Sequence, residues 1–151
     1  MEFTLVDALT LLSILLVSVT WYITHRKSKH DLKTHNTVTL ISNLSVVEHL
    51  RDADILVREK ITNNEVFPAL IPNPGVEKCL ITILDYYEFL SRLFLKDSID
   101  RRAIVELRGT LMLETLKVSS DYITESARKT KREDLYSAFS EVCAIIAGER
   151  Q

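Results

Sequence analysis

Three histidines, His25, His30 and His35, recur every five residues in the basic stretch HRKSKHDLKTHN, the first pattern in the chain that suggests metal binding. On a helix five residues advance about 500°, so successive imidazoles point about 140° apart and cannot close on one ion. Their remaining chemistry is protonation at mildly acidic pH, which would strengthen contact with anionic headgroups. Ser119, Ser120 and Asp121 could belong to a nucleophilic set, but His49 is the only histidine after residue 36. It stands next to Leu50 and is expected as a surface or satisfied core residue. No phosphate-cradling glycine loop, HExxH pair or calcium loop is present. Cys79 and Cys143 are isolated in apolar helical patterns, as expected of buried thiols in a reducing compartment. Glu88 and Arg92 are four residues apart, as are Asp97 and Arg101, and Asp100 precedes Arg101 and Arg102. With Arg128, the residues Glu88, Arg92 and Asp100 read as a structural clasp rather than an acid–base pair. The sequence therefore predicts a non-enzymatic protein with neither metal nor cofactor.

The elements that must carry these residues begin with Phe3 to Thr24, FTLVDALTLLSILLVSVTWYIT. From Leu5 to Ile23, at about 1.5 Å per residue, the run measures roughly 28 Å, close to the hydrocarbon thickness of a bilayer. Asp7 is its one charge, within a turn of the outer end. Arg26, Lys27, Lys29 and Lys33 follow the run and no basic side chain precedes it, so the positive-inside bias places the C-terminal side in the cytoplasm. The charge order is the reverse of a cleavable signal. Trp21 and Tyr22 fall where an inner aromatic belt would lie. The expected organisation is an anchor at 1–24, a basic juxtamembrane segment at 25–36 that touches the membrane surface through Arg26, Lys27, Lys29 and Lys33, and a cytoplasmic helical domain at 37–151. The chain would then lie in a bacterial inner membrane with its N-terminus outside. Whether the basic segment continues the membrane helix is open at this point. Thr10, Ser13, Val17, Thr20 and Thr24, spaced 3, 4, 3 and 4, form a stripe of small or hydroxyl-bearing side chains. It serves either self-association or bonding of the hydroxyls back to the helix's own carbonyls.

Beyond residue 36 the chain has 18 acids and 15 bases of mixed distribution, a poor match to nucleic acid. Three glycines and three prolines in 151 residues favour helices over a turn-rich β domain. The fold expected is all-α: one transmembrane helix, then a bundle of about four helices. The first would run from Thr37 to Ile61 with a bend near Arg51 to Asp54, ending at Asn63 and Asn64. Residues 66–75 hold all three prolines and read as a loop that packs over the domain. A helix from Val76 to about Lys96 carries the stripe Val76, Leu80, Ile83, Tyr87, Leu90 and Phe94. After a turn at Asp97 and Ser98, another runs to about Ala127 with Ile104, Leu107, Leu111 and Val118 on one face, Leu113 and Leu116 beside it, and Gly109 inside it. Thr130 to Glu133 reads as a capping box that opens a last helix, with stripe Leu135, Phe139, Val142 and Ile146 and a stop at Gly148.

The residues Asp85-Tyr86-Tyr87-Glu88-Phe89-Leu90, Ile99-Asp100, Tyr122-Ile123, Arg128, Tyr136, Phe139 and Glu141 resemble an uncharacterised bacterial family over residues 36 to 147. Its members pair an N-terminal span with a small helical domain, and the resemblance implies a helix-turn-helix at 85–100 and an origin frequent in mobile or phage-derived DNA. Asp85 stands where that pattern has asparagine, and Leu93 and Asp97 where it has glycines. Two readings follow. One is a membrane-tethered interaction or regulatory module with a protein partner, homo-oligomeric through the stripe. The other is a membrane effector of phage-exclusion or toxin type that assembles through its span.

Overall fold

The computed structural model describes the backbone of residues 5–149 and the side chains of residues 15–148. The described residues form five α-helices and no strand. These are α1 Leu5–Val46, α2 Glu48–Thr62, α3 Pro74–Leu95, α4 Arg101–Thr130 and α5 Ser137–Glu149.

The 42 residues of α1 give a helix about 63 Å long. It passes through both expected borders, at 24/25 and 36/37, without interruption. The basic segment is thus part of one helix that starts in the apolar run and ends in the bundle. The bend expected near Arg51 to Asp54 lies instead at Val47, whose extended backbone separates α1 from α2. Ser42 and Ser45 bond back to carbonyls three residues earlier, which pulls the last turns of α1 away from regular geometry.

α3 packs against α2 and α5, while α4 reaches α1, α2 and α5. Its expected stripe is the core: Leu80, Ile83, Tyr87, Leu90 and Phe94 are buried, with Val76 half-buried at the end. Asn73 caps α3 by accepting from the backbone N–H of Gly75 and Val76, and Pro74 occupies the first helical position, where no N–H is needed. The preceding loop is held by Phe67, which is fully buried and donates its N–H to the Val118 carbonyl at 2.7 Å. Val66 and Leu70 of the same loop are exposed.

Four sequence expectations are corrected. In α4 the buried face is Ile104, Met112, Thr115, Val118, Ser119 and Tyr122, whereas Leu107 is exposed and Leu111 half-buried. The Ser119 hydroxyl is satisfied within the helix by the Thr115 carbonyl at 2.6 Å, so a polar residue lies in the core at little cost. Thr130 does not open a capping box: it is the last residue of α4 and donates back to the Ser126 carbonyl. Gly148 lies within α5 rather than ending it. Cys143 is buried, as expected, but Cys79 is half-exposed.

Helix ends in this chain rest on residues other than glycine. Asn64, Asp97, Lys131 and Tyr136 have φ between 53° and 57°, and no glycine has positive φ among the described residues. After α2 and after α3, the backbone closes the same double bond: Glu65 N–H to Lys60 O with Asn64 N–H to Ile61 O, and Ser98 N–H to Leu93 O with Asp97 N–H to Phe94 O. This is the Schellman arrangement, whose left-handed residue is most often glycine.

Two measurements follow. A left-handed L-residue costs about 1–2 kcal/mol, partly offset against glycine's greater chain entropy, so Lys131→Gly is expected to raise stability by about 0.5–1 kcal/mol in urea unfolding. Burial pushes the Tyr86 phenol up to about 12, and burial also raises the phenols of Tyr87, Tyr122 and Tyr136. A raised folded-state value favours the fold below the unfolded value of about 10 and loses that favour as pH climbs toward the folded one. Alkaline titration at 295 nm should therefore show most tyrosines ionising late, together with loss of helical circular dichroism above about pH 10.

Candidate functional site

The large apolar side chains described at the start of α1 are open to solvent: Leu15, Leu16, Val17, Val19, Trp21, Tyr22 and Ile23 are 46–68% exposed. Contact begins near Lys33. Its ammonium pairs with Asp97 at 2.8 Å, in the turn between α3 and α4. One residue on, the Thr34 hydroxyl donates to the Asp100 carboxylate, and Thr37, fully buried, accepts from the Asp100 N–H at 2.8 Å while donating to the Lys33 carbonyl. The second Asp100 oxygen caps α4 by accepting from Ala103 N–H at 3.2 Å. The Thr34 hydroxyl first, and the Ala103 amide after it, hold the Asp100 carboxyl below the usual carboxylate range against partial burial. The ammonium of Lys33 does the same for Asp97. One residue therefore starts α4 and locks α1 to it.

Arg101 completes this corner. Its guanidinium donates to the Phe94 carbonyl at 3.2 Å, lies 5.1 Å from the Phe94 ring centroid, and approaches Asp97 at 3.7 Å. Further along, the Tyr86 hydroxyl donates to the Leu40 carbonyl, fixing α1 against α3.

The corner also borders an open notch of about 640 Å³, where Arg26, Lys29, His30 and Lys33 of α1 face Asp97 and Ser98. Lys27 is not part of its lining. A smaller groove of about 290 Å³ lies at the other end of α3, bordered by Leu70, Glu77, Ile81, Tyr122, Leu135 and Tyr136. There the Tyr122 hydroxyl donates to Glu77 at 3.1 Å.

The residues expected to form one clasp are distributed over three places. Glu88 accepts from Arg92 and, through its other oxygen, from the Phe139 N–H of α5 at 2.9 Å. Beside it, Asp85 accepts from the Tyr136 hydroxyl at 3.1 Å, so two carboxylates of α3 hold the start of α5. Asp100 serves α1 and α4 instead, and Arg128 pairs on the surface with Glu125 three residues before it. The grouping of Arg128 with Glu88 and Asp100 is thus corrected: an i, i+3 partner on its own helix is closer than any on α3.

Of the stripe, Thr10 and Ser13 lie outside the residues whose side chains are described. Val17 is exposed, and the hydroxyls of Thr20 and Thr24 donate to the carbonyls of Leu16 and Thr20, each at 2.8 Å. His25 stacks on Trp21 at 5.2 Å. Among the described residues, no group of three or more histidine, cysteine, aspartate or glutamate side chains could hold a metal ion, and no helix is long and apolar enough to cross a membrane. Thr34 and Thr37 went unnoticed in the sequence because isolated threonines carry no pattern.

Fold and site together define a helical bundle carried on a long N-terminal helix that is locked into it by an aspartate at the start of α4. The chain belongs to the family described as a domain of unknown function, DUF4760, which it matches over residues 4–144. The match starts inside the apolar run, so α1 belongs to the family's unit as much as the bundle does. No curated protein and no solved structure matches the chain.

If Thr37 is the group that satisfies the Asp100 amide, Thr37→Val should destabilise the bundle by about 1–3 kcal/mol, the cost of a buried unpaired N–H. Thr37→Ser should recover most of that loss in the same urea titration.

Proposed function

We propose that this protein is a non-enzymatic interaction module anchored in a bacterial inner membrane by α1, with its helical bundle at the cytoplasmic face. The observation that carries the reading is the exposed apolar start of α1. Seven large apolar or aromatic side chains between Leu15 and Ile23 are exposed, although the same helix is buried in the bundle further on. Exposed apolar surface on this scale requires a partner or a lipid phase. The described part of the run, residues 15–24, spans about 15 Å, half a bilayer. Residues 5–14, LVDALTLLSI, continue the same helix and bring the run to membrane length. Arg26, Lys27 and Lys29 then fall in the cytoplasmic headgroup layer.

The effector reading, in which the span itself assembles, draws less support. The Thr20 and Thr24 hydroxyl protons are used inside their own helix, which leaves only acceptor capacity for bonds across helices. Self-association through the stripe remains part of the module's proposed mechanism, alongside the raised local concentration that a membrane tether gives for a protein partner.

Alkaline carbonate washing of membranes followed by crosslinking tests both readings. The full chain should stay in the membrane pellet, and wild type and the variant T10L/S13L/T20L/T24L should capture the same cytoplasmic protein. Release of wild type by carbonate overturns the anchor. A homo-oligomer present in wild type and lost in the leucine variant, with no cytoplasmic protein captured, favours the effector.

A further inference from the structure

We infer that the notch between α1 and the α3–α4 turn is a discrete site for the phosphate-bearing headgroup of an anionic lipid in the cytoplasmic leaflet. The inference rests on the membrane reading above. On α1, Arg26, Lys29, His30, Lys33 and Asn36 are spaced 3, 1, 3 and 3, which places them within an arc of about 120°. Lys27 lies about 100° from Arg26, outside that arc, and does not line the notch. The opposite wall is the turn residue Ser98 together with Asp97.

Charge and depth both fit an anionic headgroup. Arg26 and Lys29 bring two uncommitted positive charges, while Lys33 and Asp97 are paired with each other at 2.8 Å. Ser98 and Asn36 add neutral hydrogen-bonding groups of the kind that bind phosphate and glycerol oxygens. Measured from Thr24, the last residue of the apolar run, Arg26 lies about 3 Å along the axis, Lys29 about 7.5 Å and Lys33 about 13.5 Å. A headgroup layer is roughly 5–8 Å deep, so Arg26 and Lys29 sit within it, and Lys33, held by Asp97, lies just beyond it where the bundle begins. Because Lys33 is fixed by Asp97, the bundle forms the site's second wall, which a bare basic helix would lack. The volume, about 640 Å³, lies within the range of small-molecule sites.

The test uses the full chain in neutral detergent micelles, with phosphatidylglycerol or phosphatidylcholine titrated in and bound lipid counted by native mass spectrometry. One phosphatidylglycerol per chain should be retained in preference to phosphatidylcholine. A basic side chain lining the site contributes about 1 kcal/mol, so R26Q and K29Q should each weaken retention about fivefold, whereas K27Q, outside the lining, should weaken it less than twofold. All three side chains are exposed, so circular dichroism melts of the variants should match wild type. Equal loss in K27Q and K29Q would mean diffuse attraction and overturn the site. So would equal retention of the two lipids, or complete displacement of phosphatidylglycerol by 10 mM inorganic phosphate, which would make free phosphate the ligand. A chain that survives carbonate washing yet fails this titration loses the headgroup site and keeps its anchor. Release by carbonate removes the anchor itself.

Discussion

The structure depends on Asp100 more than on any other single side chain. Its carboxylate accepts from Thr34 and from the Ala103 amide, and its own amide is satisfied by Thr37. The cap stabilises α4 by roughly 1 kcal/mol, and each bond to a charged acceptor adds about as much again. Only one residue type meets both demands well. Asparagine would cap the helix, but it would bring an amide N–H₂ where Thr34 needs an acceptor or a forced orientation. Serine would cap it without reaching α1. The direction of a 42-residue helix relative to the bundle is therefore decided at a helix start that the bundle needs in any case.

The left-handed helix ends show a related economy of residues. At Asp97 the backbone would favour glycine, yet the carboxylate provides the partner for Lys33. Tyr136 is more unusual, because a bulky residue with φ of 57° is rare. It is held by burial and by the hydroxyl bond to Asp85. Lys131 has no such second use among its described contacts, so its conformation is strain without visible compensation.

How much of this was legible follows from where the signals reside. α3 could be read almost whole, because its apolar residues alternate by threes and fours and its ends carry proline and a polar turn. α4 could not, because its buried face contains Thr115 and Ser119, while Leu107 is exposed. Hydropathy ranks Ser119 wrongly, since its hydroxyl bonds to the Thr115 carbonyl of its own helix and so enters the core at little cost. Thr130 to Glu133 matches a capping box in residue type, but the chain there is leaving α4, and local type alone does not give direction. Glu88 was readable as a clasp through Arg92, whereas its bond to Phe139 joins residues 51 apart and has no local trace. The break at Val47 likewise has no proline or glycine to announce it.

The continuity of α1 changes what anchoring would accomplish. A flexible linker gives a tethered domain a broad volume to search and leaves its orientation free. Here no linker separates the apolar run from the bundle, and about 14 Å of regular helix lies between Thr24 and Lys33. Helical bonding along that length resists bending, and the Lys33, Thr34 and Thr37 contacts resist rotation about the axis. On the proposed reading the bundle is held in one orientation at a fixed height above the membrane, with the α3–α4 turn toward the lipid. A tilt or rotation of the span would then act directly on Asp100, and through its cap on the start of α4. The same bonds that fold the corner would make the bundle responsive to how α1 sits in the bilayer.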